Sequence, residues 1–498
     1  MITEIVKKIN LSKNDIILYG DDIAKIKRNE NNQNGNLILV TSITPTKYGE
    51  GKTTIVIGIN DALQKLGKNS VAVVREPSLG PTFGLKGGAT GGGKATIVPE
   101  MDINLSFTGD FHAIEDANNL ICALIDNHIY QGNELNIDPN QILFHRCMDV
   151  CDRSLRNIEI NHISSSFDIT AASEIMGIMT LCQNEDDLKK RINNIIIGLT
   201  YEGKLVYFKQ LNATNAVAEL LKKAMFPNVV KSLENNPVMV HMGPFANVSI
   251  GCNSLISTKL ATSLCDYTVV EAGFGSDLGC EKFFDIKCRT GNLKPNLVIL
   301  NVTVRALKEH KCFENNFDHL KKHIENIHYF TSNLLVVLNK FEDDNTDDII
   351  ELHNFLKQNN IPFEICESFL KGSDGAIHVA KKIINLTKKD NIHFLYNLED
   401  DLKDKIDTVC TKMYHVNKVI YKKEVLEKIE IIKKNHLDSL PICIAKSPLS
   451  LNGNKDSLLD YIEITDIKVN NGAGYIVVYS GNIVTMPGLP KHPRAMDF

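Results

Sequence analysis

The chain contains no tryptophan, and aromatic residues make up only 7% of its 498 positions. A stacking site for a flat ring would have to be built from phenylalanine or tyrosine. Long hydrophobic runs are absent too. None reaches the roughly 18 residues a bilayer span needs. The start, Met1-Ile2-Thr3-Glu4-Ile5-Val6-Lys7-Lys8, carries an early acid and no long apolar core, which argues against a secretory signal, and it is too poor in Arg and Ser for a mitochondrial address. A cytoplasmic location is expected. Charge of one sign is scarce: the net charge of −5 gives no broad drive toward nucleic acid or an anionic membrane, so small-molecule partners are expected. The 12 cysteines include no C-x-x-C pair, and the closest spacing is Cys147 with Cys151. Buried thiols in a reducing cytosol fit this scatter better than a zinc or iron–sulfur site.

A hydrophobic share of 43% and a charged share of 23% are those of a globular chain with several domains. Strand-like apolar runs recur at Leu37–Thr41, Val71–Val74, Val238–His241, Tyr267–Val270, Leu297–Val302 and Leu334–Leu338, with helical stretches between them. That alternation predicts an α/β fold on a mostly parallel sheet, with the loops after the strands gathered on one edge. The stretch 117–232 reads as mainly helical. The polar stretch His310 to Asn326 separates two strands, residues 390–434 read as a solvated helical face, and residues 442–498 return to short strands. The expected units are 1–330, 331–440 and 441–498.

The richest local signal is Thr44-Pro45-Thr46-Lys47-Tyr48-Gly49-Glu50-Gly51-Lys52-Thr53. A buried strand precedes it and an amphipathic helix from about Thr53 to Leu66 follows. In that setting Thr46 to Thr53 form a phosphate-binding loop. Lys52 reaches the terminal phosphates of a nucleoside triphosphate, and the Thr53 hydroxyl takes Mg²⁺. Thr46 stands where the usual pattern has glycine. The next strand, Ser70 to Val74, ends in Arg75-Glu76-Pro77 and sets a cation and an anion on the same edge. Glu76 reads either as an indirect Mg²⁺ partner or as an ion-pair partner of a lysine. His112, as a lone histidine, reads first as structural and only second as an acid or base.

These residues belong to a series of blocks that resembles formate–tetrahydrofolate ligase across almost the whole chain. The blocks are TPTKYGEGKTT (44–54), REPSLGPTFGLKGGATGGGKA (75–95), DINLSFTGDFHAI (102–114), DNHIYQGNEL (126–135), FDITAASEIM (167–176), VHMGPFANV (240–248), EAGFGSDLGCEKFFDIKCR (271–289) and MPGLPKHP (486–493). The resemblance implies a P-loop NTPase-like sheet with helices on both faces and smaller C-terminal α/β domains. It implies ATP, Mg²⁺ and tetrahydrofolate, a monovalent cation activator and a homotetramer. The implied reaction passes through formyl phosphate, with Lys52 on the β/γ-phosphates and Arg75 clamping the acyl phosphate. Gly87, Gly88 and Gly92 would let the backbone approach a small anion. Phe341 and Phe369 would wall the pterin slot.

The pattern departs from the family at several places. Phe369 replaces a tryptophan, Glu342 a proline, Lys47 a proline and Lys94 a tyrosine; Glu100-Met101-Asp102 is a permuted trio, and Ile250 stands where a histidine is usual. The loop after Lys308 is shortened. These changes leave the phosphate side intact and bear on the folate side, so a diverged member with altered folate-linked activity is a second reading. Lys47 also motivates a third, since lysine at that loop position resembles the partitioning-type ATPase switches. Against it, their second strand ends in an Asp-rich segment, and the blocks beyond residue 100 have no place in such a switch.

Overall fold

The computed structural model describes residues 1–497 except 29, 31–32, 85–89, 161–162, 390 and 454–459. Its centre is a sheet of twelve strands: β1 Ile16–Tyr19, β2 Ile23–Ile26, β3 Asn36–Ser42, β4 Ser70–Val74, β5 Gly91–Gly92, β6 Ala95–Val98, β7 Asn228–Ser232, β8 Pro237–Val240, β9 Tyr267–Glu271, β10 Leu297–Val302, β11 Leu334–Asn339 and β12 Phe363–Cys366. The main path runs β1-β2-β7-β8-β4-β9-β3-β10-β11-β12, with β6 on β7 and β5 on β6. The seven strands from β8 to β12 along that path are parallel. The six runs expected from the sequence all lie among these seven. A large, mostly parallel α/β sheet is therefore the architecture.

The parallel strands are apolar at nearly every position because both faces are covered. In β3, Leu37 and Leu39 enter one core while Ile38 and Val40 enter the other. In β4, Val71 and Val73 part from Ala72 and Val74 in the same way. Period-two geometry sends alternate side chains to opposite faces, so each strand serves two cores. Helix α1, Lys52–Lys65, buries Ile55, Val56, Ile59, Ala62 and Leu63 in the second core.

One regional expectation is overturned. Residues 117–232 are not mainly helical. After the helix Asp110–Tyr130 come short strands at Ile137–Ile142, Arg146–Met148, Ile158–Ile160, Ile163–Ser165, Phe167–Ile169, Ile196–Thr200 and Leu205–Tyr207, mixed with short helices. Most of these strands have three residues, too few to carry a readable alternation. The separations expected near residues 330 and 440 each fall within a hydrogen-bonded sheet. β10 pairs with β11, and Lys418–Tyr421 joins Tyr461–Asn470, Tyr475–Ser480 and Ile442–Ala445 in a four-stranded sheet. All twelve cysteines are buried and free, in line with the thiol reading. Among the described residues no helix is long and apolar enough to cross a membrane.

The C-terminal sheet is tied to the rest through Glu174, which accepts the backbone N–H of Gly472 at 2.7 Å and of Ala473 at 3.3 Å. Burial pushes its carboxyl from the ordinary 4.5 up to about 7. The folded state therefore holds this proton where the unfolded chain has lost it, and the associated stability falls as pH rises from about 4.5 through about 7. Glu174→Gln is expected to flatten that part of a plot of melting temperature against pH; an unchanged slope would show that Glu174 does not set it.

Candidate functional site

The loops after β3, β4, β9, β10, β11 and β12 leave the same edge of the sheet, since these strands run parallel. Residues 46–51 follow β3 as a tight loop. Gly49 has φ 80° and Gly51 φ 67°, left-handed backbone that favours glycine. A Cβ on Gly51 would stand 2.6 Å from Asn339 Nδ2, so the position admits no side chain. Asn339 Nδ2 and Asn301 Nδ2 both donate to the Glu50 carbonyl, at 3.1 and 2.8 Å. The Glu50 side chain does not face a ligand. It turns inward to accept the Thr46 N–H at 2.6 Å and the Thr303 hydroxyl, and it is 2% exposed. The Glu50 side chain is thus a brace inside the loop. Lys47 and Tyr48 point outward, with Lys47 Nζ 4.9 Å from the Tyr48 ring centre.

Lys52 opens α1. Its ammonium donates to the Phe274 carbonyl at 2.8 Å and to Ser42 Oγ at 3.1 Å. The Thr53 hydroxyl donates to Glu271 Oε2 at 2.9 Å, and Glu271 Oε1 lies 3.7 Å from Arg75 Nε. Glu271 is 2% exposed, and Arg75 Nε, also buried, has no hydrogen-bond partner. The strand that leads to Lys52 and the strand that ends before Arg75 are not neighbours in the sheet. β9 lies between them and delivers Glu271 to the gap. Glu271 is the functional candidate that sequence reasoning missed. Its only signal was that it opens the block Glu271-Ala272-Gly273-Phe274-Gly275-Ser276-Asp277.

The chain's full length now bears on this constellation. The sequence profile of formate–tetrahydrofolate ligase matches residues 1–498. The chain belongs to the formate–tetrahydrofolate ligase family. It is accordingly an ATP-dependent, C–N bond-forming ligase of one-carbon metabolism, with formate, tetrahydrofolate and ATP as substrates.

The two expected aromatic walls of the ligase leave adjacent strands, since Asn339 of β11 pairs with Cys366 of β12. Phe369 is 43% exposed and leans on the glycine turn: a Cβ on Gly92 would meet its ring at 3.0 Å, and Lys94 N donates to its carbonyl at 2.9 Å. A Cβ on Gly92 would also lie 3.7 Å from Thr54 Oγ1, so this turn, α1 and Phe369 form one corner. Phe341 follows the neighbouring strand β11, its ring centre 5.4 Å from the Arg305 guanidinium, which lies 5.3 Å from the Tyr48 ring centre. Arg305 also donates to the Gly49 carbonyl at 2.6 Å and was not foreseen. Gly87 and Gly88 lie outside the described residues.

Glu76 takes neither of its two readings outright: its raised carboxyl favours the neutral form over an ion pair with a lysine. It is buried beside the Lys25–Asp110 pair (2.7 Å), and burial with the Asp110 charge pushes its carboxyl well above the usual range. His112 is exposed, 3.3 Å from Ser106 Oγ, and lines a cavity of about 140 Å³ with Glu76, Phe111, Glu115 and Asp149. Gly51→Ala in the ligase is expected to cost about 1–3 kcal/mol of stability and to raise the KM for ATP, measured by thermal unfolding and steady-state kinetics. Wild-type values in both would mean that the loop tolerates a side chain there.

Proposed function

We propose that the ligase activates formate as formyl phosphate at the edge where β3, β9 and β4 end, and that tetrahydrofolate takes the formyl group in the slot flanked by Phe341 and Phe369. The observation that carries this reading is the convergence of Lys52, Thr53, Glu271 and Arg75 at one place. A P-loop-type nucleotide site fits the local backbone. The glycines of residues 46–51 and the first turn of α1 aim N–H groups at a polyphosphate, and the helix N-terminus adds partial positive charge.

Formate is a poor acyl donor because oxide or hydroxide would have to leave. Its carboxylate oxygen attacks the γ-phosphorus of ATP, the bond to the β-phosphate oxygen breaks, and ADP departs. N10 of tetrahydrofolate then attacks the formyl carbon and phosphate leaves, with N10 losing its proton. Neither half needs covalent catalysis by the protein. Both need positive charge held where negative charge develops. Lys52 supplies it along the β/γ-phosphates as a compact ammonium. Arg75 supplies it to the acyl phosphate with a planar fork of donors, and a buried guanidinium nitrogen without a hydrogen-bond partner supports an anion as its missing ligand.

The residues present also suit Mg²⁺. Thr53 Oγ1 and the buried Glu271 carboxylate lie 2.9 Å apart, a pair of hard oxygen donors. Among the described residues no group of three or more His, Cys, Asp or Glu is placed to hold a metal, which suits an ion that takes much of its shell from substrate phosphates and water. When bound, Mg²⁺ would neutralise charge on the phosphates. Glu271 would then have a second task, holding the Thr53 hydroxyl in line and keeping Arg75 on its own side.

Formation of formyltetrahydrofolate, followed spectrophotometrically, tests the assignment. Lys52→Ala and Arg75→Ala are each expected to lower kcat/KM by about 10²–10³ or more with melting temperatures close to wild type. Phe369→Trp is expected to keep or lower the KM for tetrahydrofolate, because an indole offers more stacking area. Normal turnover by Arg75→Ala would remove the formyl-phosphate assignment.

A further inference from the structure

Thr44 lies between the end of β3 and the phosphate loop, fully buried, and each of its polar groups is met by a histidine. Its N–H donates to His323 Nε2 at 3.0 Å. Its carbonyl accepts from His310 Nε2 at 3.0 Å. Its hydroxyl lies 3.0 Å from the Nε2 atoms of both His323 and His319. His310 follows helix α2, Val304–Glu309, and the other two stand four residues apart on one face of helix α3, Asp318–His328. The polar stretch that reads as a mere separator thus supplies three imidazoles to the base of the loop.

The protons can be placed. A carbonyl only accepts, so His310 carries hydrogen on Nε2. A backbone N–H only donates, so His323 presents a bare Nε2 and carries its hydrogen on Nδ1. The far end of the ring agrees. Ser276 Oγ is 2.7 Å from Nδ1, while its own hydrogen is directed to the His323 carbonyl at 3.4 Å. Asn326 Nδ2 donates to the same Oγ, also at 3.4 Å, so this oxygen acts as an acceptor. Ser276 belongs to the loop after β9, the loop whose Phe274 carbonyl holds Lys52. His323 therefore ties together the two segments that bracket the Lys52 ammonium.

We infer that His323, assisted by His319 and His310, is a positioning residue for ATP: it locks Thr44 to Ser276 and so sets where the loop presents Lys52. This rests on the reading of residues 46–53 as the nucleotide site. The lock works only with a neutral His323, because a hydrogen on Nε2 would face the Thr44 N–H, donor against donor. Burial, with positive charge from His310, Lys446 and His415, holds His323 well below the usual histidine range. Burial, His323, His310 and Lys322 do the same to His319, against the pull of Asp277. His310 is lowered by burial against its bond to Thr44 and the charges of Glu309, Glu50 and Asp277. Depressed folded values mean that the neutral lock holds at ordinary pH and is lost as pH falls through them.

Steady-state kinetics over a pH series tests this. His323→Phe keeps the ring volume and removes both nitrogens. It should raise the KM for ATP about tenfold, leave the KM for formate near wild type, and abolish the acid-side rise in the KM for ATP. His323→Gln, which restores an acceptor to Thr44, should recover part of the affinity. Ser276→Ala leaves the imidazole in place but frees its tautomer, and should raise the KM for ATP with little change in melting temperature, so it decides the matter if His323→Phe does not fold. Lys52→Ala, titrated with ATP by calorimetry, is the companion measurement. Unchanged ATP kinetics in His323→Phe and Ser276→Ala, with binding lost in Lys52→Ala, would overturn the positioning role and leave the loop reading standing. Full ATP binding by Lys52→Ala would overturn the loop reading itself.

Discussion

A single carboxylate, Glu271, stands between the Thr53 hydroxyl and the Arg75 guanidinium, which follow two strands that do not touch. Thr53 reaches it at 2.9 Å and Arg75 at 3.7 Å. Lys52 donates to the Phe274 carbonyl and the Ser42 hydroxyl, while Glu271 engages Thr53 and Arg75. The position of Glu271 follows from β9 lying between β3 and β4.

The loop around this point is held before any ligand arrives. Glu50 turns its side chain inward to Thr46 and Thr303, and its carbonyl takes hydrogen from Asn301 and Asn339. Arg305 fastens the Gly49 carbonyl. Thr44 is held on all sides by imidazoles. These contacts come from β10, β11 and the helices after them, so the loop of residues 46–51 is shaped largely by elements far from it in sequence. Preorganisation of this kind is what charge-stabilising catalysis requires, because donors already in place need not reorganise as charge develops. Gly92, Thr54 and Phe369 meet beside α1.

Much of this was legible along the chain. β3, β4, β9, β10 and β11 were visible as apolar runs because a strand buried on both faces needs nothing but apolar residues. The loop was visible because left-handed backbone at Gly49 and Gly51 calls for glycine, with Lys52 and Thr53 following at once at the start of a helix. The three-residue strands between 137 and 207 were not visible, since their residues too seldom repeat a pattern. The inward turn of the Glu50 side chain was not visible, because a loop's sequence does not say which way a side chain turns. His310, His319 and His323 were taken as part of a polar connector because nothing local shows that Thr44 lies against them.

The order of residues alone carried what each segment is: buried strands, a glycine-bearing loop opening a helix with Lys52 in its first turn, and Arg75 just after a strand. Those properties depend on neighbours within a turn or two, where backbone sterics and burial act directly. Tertiary structure alone decided which groups meet. β9 came to rest between two strands that precede it by some two hundred residues, and α3 came to rest under the loop, through pairing and packing energies summed over distant segments. The partner of each cation, and the histidines behind Thr44, are consequences of that long-range sum.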